Sequence, residues 1–264
     1  MAKKTLMIVG DGFVGGSIRQ ALEPHNNIII QDPPKGYDNG NYRGLINLDG
    51  VIICLPTPSD DDGYCDDSLV LDEYYKIRSA FSFVPILLKS TTSVTTLNHL
   101  ECLEDTGLTF SPEFLTAANA YEDLMNSEHM IFANCMPGDN PFWSDIFVQA
   151  LRNVTPVFMR SLVEAGITKY TINSFLATKV TFFNEISRLC DALGVDYNRV
   201  RLATQLDSRI GNSHMDVPGS DSKFGWGGAC FPKDTSEFTL AADDAGAPLD
   251  LLKTVIELNR KHRQ

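Results

Sequence analysis

The first twenty-two residues constrain the fold of this 264-residue chain more than any other stretch. An apolar run, Leu6-Met7-Ile8-Val9, leads directly into Gly10-Asp11-Gly12-Phe13-Val14-Gly15, and Ser17-Ile18-Arg19-Gln20-Ala21-Leu22 follows with helix-forming spacing. Strand, glycine turn and helix in that order open a dinucleotide-binding βαβ unit. Gly10 permits the tight turn, Gly12 lets a pyrophosphate reach the backbone, Phe13 and Val14 are expected beside the cofactor, and Gly15 lets the helix pack on the strand. A second apolar run, Ile28-Ile29-Ile30-Gln31, ends at Asp32. That is the spacing at which an acidic residue accepts from adenosine ribose hydroxyls and repels a 2′-phosphate, so NAD is expected rather than NADP. The alternative is a strand-end Asp that caps a turn before Pro33-Pro34.

More strand-like runs follow at Val51-Ile52-Ile53-Cys54, Val84-Pro85-Ile86-Leu87-Leu88, Leu108-Thr109-Phe110 and Met130-Ile131-Phe132. Their separations leave room for crossover helices, which predicts a parallel sheet covered on both faces. Ligands meet such sheets at the carboxyl ends of the strands. Three motifs fall there: Leu55-Pro56-Thr57-Pro58, Lys89-Ser90-Thr91-Thr92 and Ser111-Pro112-Glu113-Phe114-Leu115. From Ser161 to Leu193 there is no Pro and one early Gly, so a long helix or two abutting helices are expected, with Lys169 and Asn173 at i and i+4 on one face. These two would jointly contact one oxygen, or else be a solvated lysine and a polar spacer. Leu249 to Arg263 reads as a second amphipathic helix. The fold class is therefore α/β: a Rossmann-type parallel-sheet domain over residues 1–158, then an all-helical central domain over 159–264 for dimerisation and substrate binding.

The segment Phe224-Gly225-Trp226-Gly227-Gly228-Ala229-Cys230-Phe231-Pro232-Lys233-Asp234 sets a thiol after a glycine-rich approach, with a cation and a carboxylate one turn later. That is the outline of covalent catalysis, with Cys230 as nucleophile, Lys233 favouring the thiolate and Asp234 moving protons. A tight turn around an ordinary buried Cys is the alternative. A net charge of -12 argues against nucleic acid or an anionic membrane as partner. Six Cys without a C-x-x-C pair fit neither a disulfide scaffold nor a zinc site and suit a reducing cytoplasm. The apolar run before Gly10 is too short for a signal-peptide core, and no segment approaches the ~20 apolar residues of a membrane span. The acidic stretch Asp60 to Asp67 lacks the spacing of an EF-hand and is expected to be a solvated loop, and no metal is expected.

Taken together the chain resembles the UDP-glucose/GDP-mannose dehydrogenase family. The matching motifs, in the family's order, are Gly10-x-Gly12-x-x-Gly15, Leu55-Pro56-Thr57-Pro58, Lys89-Ser90-Thr91, Ser111 to Leu115, Lys169-x-x-x-Asn173-x-Phe175-Leu176-Ala177, Asn184-Glu185, Arg209-Ile210-Gly211 and Gly227 to Asp234. The resemblance implies NAD-dependent oxidation of a nucleotide sugar, of the UDP-glucose type, from primary alcohol through aldehyde to carboxylate. It implies a thiohemiacetal and then a thioester on Cys230, oxyanion stabilisation by Lys169 and Asn173, and proton acceptance by Asp234 with Thr91 and a water. Glu113 would position the hydrolytic water. The cofactor would meet Pro56, Thr57, Ser90, Thr91 and Lys233, and the sugar nucleotide would meet Phe114, Leu115, Arg209, Gly227 and Gly228. Departures fall at Ala117 and Gly166, where relatives carry Glu, at His129, where they carry Arg, and in a longer loop over Asn212 to Lys223. The chain is expected to end before a third domain that relatives possess, and to form a homodimer through an apolar stripe at Phe175, Phe182 and Phe183. Two rivals stand: a two-electron β-hydroxyacid-type dehydrogenase, which needs no thiol, and a catalytically degenerate dinucleotide-binding protein.

Overall fold

The computed structural model describes residues 3–40, 42, 44, 45, 47–134 and 141–264; Cys135 lies outside the described residues. The chain divides into two compact units, Met1–Pro58 with Cys65–Lys169, and Ser59–Tyr64 with Tyr170–Gln264.

The first unit is built on strands β1 (Thr5–Val9), β2 (Asn27–Gln31), β3 (Gly50–Ile53), β4 (Ile86–Leu88), β5 (Leu108–Phe110), β6 (His129–Ala133) and β7 (Thr155–Met159). They form one sheet in the order β2-β1-β3-β4-β5-β6-β7. Side chains alternate between two cores, as the period of a strand demands. Leu6 and Ile8 of β1 pack with Ile18 and Leu22 of α1 (Phe13–Leu22), Leu124 of α4 (Ala120–Met125) and Phe147 of α5 (Pro141–Ala150). Met7 and Val9 pack with Val70 and Ile77 of α2 (Ser68–Ala80) and Leu97 and Leu100 of α3 (Val94–Cys102). Helices on both faces explain why the strands read as continuous apolar runs.

Two features depart from the expected parallel sheet. β5 and β6 pair antiparallel through Phe110 and Ala133, whereas every other neighbouring pair is parallel. A seventh strand, β7, lies at the edge, which is where a strand tolerates the missing N–H of Pro156. The acidic stretch also needs correction at one position. Asp67 is buried and accepts from the Ser93 amide at 2.8 Å and the Thr96 hydroxyl at 2.9 Å, tying α2 to the start of α3.

Helix α6 (Leu162–Leu193) runs 32 residues without a break. Glu101 Oε2 accepts from Ser161 Oγ at 2.9 Å and from the Val163 amide at 3.2 Å, so donors of the first turn are satisfied. Gly194, at φ 67°, ends the helix in the left-handed region, and the Val195 amide returns to the Cys190 carbonyl at 2.9 Å.

The second unit comprises α6 from Tyr170 onward, α7 (Tyr197–Thr204), α8 (Phe231–Asp244) and α9 (Asp250–His262). Ala177, Trp226, Leu252 and Val255 form one core, and Phe183, Cys190, Tyr197 and Met215 another. Of the apolar stripe, Phe183 is 4% exposed and belongs to a core, while Phe175 and Phe182 are 65% and 54% exposed. Neighbours 182 and 183 lie about 100° apart around the helix, so the two rings meet different surroundings. Ser59–Tyr64 belongs to this unit, with Tyr64 Oη donating to Asp244 Oδ2 of α8 at 3.2 Å. Among the described residues no helix is long and apolar enough to cross a membrane, and no three His, Cys, Asp or Glu side chains cluster to hold a metal ion.

Candidate active site

In the first unit, β2 and β3 leave β1 on opposite sides, and the glycine turn stands at this switch point beside the end of β3. A Cβ on Gly10 would meet the Cys54 carbonyl oxygen at 2.5 Å, and one on Gly15 would overlap the Gly10 carbonyl oxygen. A Cβ on Gly12 would meet nothing within 4 Å beyond its chain neighbours, and no side chain caps α1. An open space before uncapped helical N–H groups fits the pyrophosphate of a dinucleotide. Phe13 and Val14 start the helix there, with Phe13 42% exposed. Asp32 follows β2 directly, and its Oδ2 accepts from the Asp11 amide at 2.8 Å. At the next strand ends Thr57 and Ser90 are buried and Pro56 exposed, and Ser90 Oγ donates to the Leu55 carbonyl at 2.8 Å. The Thr91 carbonyl accepts from the Cys65 thiol at 3.8 Å.

A buried charged cluster closes the ends of β4 and β5. Lys169 Nζ lies 3.1 Å from Glu113 Oε1 and also donates to the Glu113 carbonyl, with the two side chains only 3% and 7% exposed. Glu113 Oε2 accepts from the Leu115 amide at 2.6 Å, and the Lys169 ammonium stands 5.3 Å from the centre of the Phe114 ring. Beside them Lys89 is fully enclosed, donating to Ser111 Oγ at 3.1 Å and the Pro112 carbonyl at 3.3 Å. Burial pulls the Lys89 ammonium down to about 8, while Glu113 opposes the fall and Lys169 adds to it. Burial likewise pushes the Cys54 thiol up to about 12. A cavity of about 350 Å³ is lined by Lys89, Glu113, Phe114, Leu115, Asp123 and His129. Nothing in the sequence pattern marked Lys89 as buried, since it looked like the polar end of a strand. Gly166 has a packing reason in this unit: a Cβ there would overlap the Leu97 side chain.

In the second unit, α8 begins at Cys230, a half-buried residue at its N-cap, and Pro232 is accommodated in the first turn. Asp234, one turn in, is 1% exposed, and its Oδ2 accepts from Asn173 Nδ2 at 2.5 Å while Oδ1 takes Lys233 Nζ at 2.6 Å. The structure thus joins three of the expected residues around one carboxylate. The glycine segment before Cys230 is pinned by residues the sequence did not single out for this. The Gly225 amide donates to Asn184 Oδ1 at 2.9 Å. Asn259 brackets Trp226, accepting from its amide at 2.7 Å and donating to its carbonyl at 2.9 Å, and the indole N–H reaches Thr181 Oγ1 at 2.9 Å. Gly227 is partly covered and Gly228, at φ 80°, is exposed. Arg209 stands apart on the surface, bound to Asp207 at 2.6 Å. Cys54, Cys65, Cys102, Cys190 and Cys230 stand as thiols.

Residues 163–261 match the model of the UDP-glucose/GDP-mannose dehydrogenase family, central domain. Among curated relatives, the UDP-glucose 6-dehydrogenase TuaD of Bacillus subtilis is 36% identical over 58% of this chain, which spans 32% of that protein. A UDP-glucose 6-dehydrogenase of Pseudomonas aeruginosa is 30% identical over 84% of this chain. The chain spans 51% of that relative's length. Among solved structures, a UDP-glucose dehydrogenase from Pyrobaculum islandicum superposes with a TM-score of 0.79 at 24% identity, covering 98% of this chain and 68% of the other. A 3-hydroxyisobutyrate dehydrogenase of Mycobacterium tuberculosis gives 0.74 at 18% identity, covering 99% and 95%. The Rossmann-type sheet followed by a helical region is therefore the fold of these dehydrogenases.

Proposed function

We propose that this chain carries the cofactor and thiol chemistry of an NAD-dependent nucleotide-sugar 6-dehydrogenase acting on UDP-glucose or a near relative. The observation that carries the proposal is the buried Asp234, held by Asn173 and Lys233 one turn into the helix that begins at Cys230. NAD, when bound, supplies the hydride acceptor. Gly10, Gly12, Phe13, Val14, Gly15 and Asp32 would hold its adenosine and pyrophosphate, with Pro56, Thr57, Ser90, Thr91 and Lys233 toward its other end. Asp234, with Thr91 and a water, would take the proton of the primary alcohol as its C–H leaves as hydride. The Cys230 sulfur would then add to the aldehyde carbon. Loss of the second hydride leaves a thioester, and water cleaves the C–S bond to give carboxylate and thiol. A thiol at the start of a helix has its anion favoured by the helix dipole.

Lys169 and Asn173 would donate to the oxyanion that develops in each step, and Glu113 would orient the hydrolytic water. Phe114, Leu115, Arg209, Gly227 and Gly228 would meet the sugar nucleotide. The exposed Phe175 and Phe182 support a homodimer through α6, and the Cys usage supports a reducing cytoplasm. A second reading is single hydride transfer on a β-hydroxyacid, which would also pair a Rossmann-type domain with a helix bearing a Lys and an Asn at i and i+4, as Lys169 and Asn173 stand here. The two separate on a panel of UDP- and GDP-hexoses and 3-hydroxy acids with NADH formation followed by absorbance. Reduction with UDP-glucose supports the first. Reduction with the hydroxy acids alone overturns it.

A further inference from the structure

We propose that Asp11, the residue between the first two glycines of the turn, sets the choice of dinucleotide by occupying two cations that would otherwise meet a 2′-phosphate. The inference rests on the reading that this turn binds a dinucleotide, and deepens it. The Asp11 amide bonds the Asp32 carboxylate at 2.8 Å, so the two acidic residues are neighbours where β1 and β2 end. The Asp11 side chain is 11% exposed, and its Oδ1 takes Arg19 Nε of α1 at 3.0 Å. Lys35, from the short turn after β2, donates to the Asp11 carbonyl and stands 3.7 Å from Asp11 Oδ2. A further Arg19 nitrogen is taken by Glu23 at 3.1 Å. Hydrogen bonds donated to Asp11 first and Glu23 second hold Arg19 firmly in its charged form.

Asp32 alone would discriminate weakly here. Two cations stand close to its partner, and a guanidinium or ammonium near the ribose is what a 2′-phosphate needs. Asp11 removes that option in two ways: it engages both cations, and it adds a negative charge beside Asp32. A ribose diol asks only for an acceptor, which Asp32 supplies, so NAD loses nothing by the arrangement. Arg19 and Lys35 keep enough exposure, 36% and 50%, to turn toward an anion once released.

The test is binding, not turnover. Dissociation constants for NAD, NADP, ADP and 2′,5′-ADP are measured by calorimetry on the parent and on Asp11→Ala, with Asp11→Asn as the shape-preserving variant should the first fail to fold. Removing one unit charge near a phosphate dianion should tighten NADP and 2′,5′-ADP on the order of tenfold, with NAD and ADP changed by less than about threefold. Adding Arg19→Gln and Lys35→Gln together to either variant should cancel most of that gain. An unchanged NADP to NAD ratio in both folded variants overturns the inference while leaving dinucleotide binding intact. A parent protein that binds none of the four ligands overturns both.

Discussion

Replacing Lys89 by Met should change the stability of the protein in a way that depends on pH, and the dependence isolates the charge. In the folded state burial lowers this ammonium to about 8 from an ordinary 10.5. The unfolded chain therefore takes up the proton as pH falls through 10.5, while the folded protein resists it until about 8. Stability is lost across that window and is constant below it. At about 1.4 kcal/mol for each pH unit of separation, the loss is about 3 kcal/mol. Met fills a similar volume but forgoes the bonds to Ser111 Oγ and the Pro112 carbonyl, an offset that does not vary with pH. Cys54, pushed up to about 12, remains a neutral thiol throughout. Urea unfolding of both proteins at intervals from pH 7 to pH 10.5 gives the comparison, because titrating groups away from Lys89 cancel in the difference. The Met variant should gain about 3 kcal/mol relative to the parent on going from pH 10.5 to pH 8, then hold level. A difference that stays flat over the whole range would refute the enclosure of Lys89.

Lys169→Met should destabilise the protein by about 3–5 kcal/mol because it strands the buried Glu113 carboxylate. Lys169→Met combined with Glu113→Gln should recover much of that in thermal or urea unfolding. Asn259→Ala leaves the amide and carbonyl of Trp226 without partners, so a loss of about 2–4 kcal/mol is expected in urea unfolding.

The glycine turn and the first strands were legible because their chemistry is local: a backbone that must approach a carbonyl or a phosphate admits only Gly, and doubly covered strands read as apolar runs. The long helix was legible from the absence of Pro and its spacing. Strand β7 was not, since Pro156 breaks the pattern and an edge strand carries little burial signal. The direction of β6 is fixed by the route of its connection from β5, which no residue pattern encodes. Helix α8 was hidden by Pro232, tolerated only because it falls in the first turn. Around the candidate site, Lys169, Asn173 and Asp234 stood out by spacing and motif, but the burial of Lys89 and the Asp11 network depend on which strand ends adjoin in the folded sheet. Which part of the apolar stripe at Phe175, Phe182 and Phe183 finds a core is not legible, because periodicity gives the angle between residues and not which side is covered.

The central claim is that Cys230 turns the aldehyde back into a hydride donor. It is tested most directly by counting NADH per nucleotide sugar consumed and weighing the product, for the parent and for Cys230→Ala. The account predicts two NADH and a carboxylate from the parent, and from Cys230→Ala at most one NADH with no acid. Carboxylate formed by Cys230→Ala at the parental rate would contradict it.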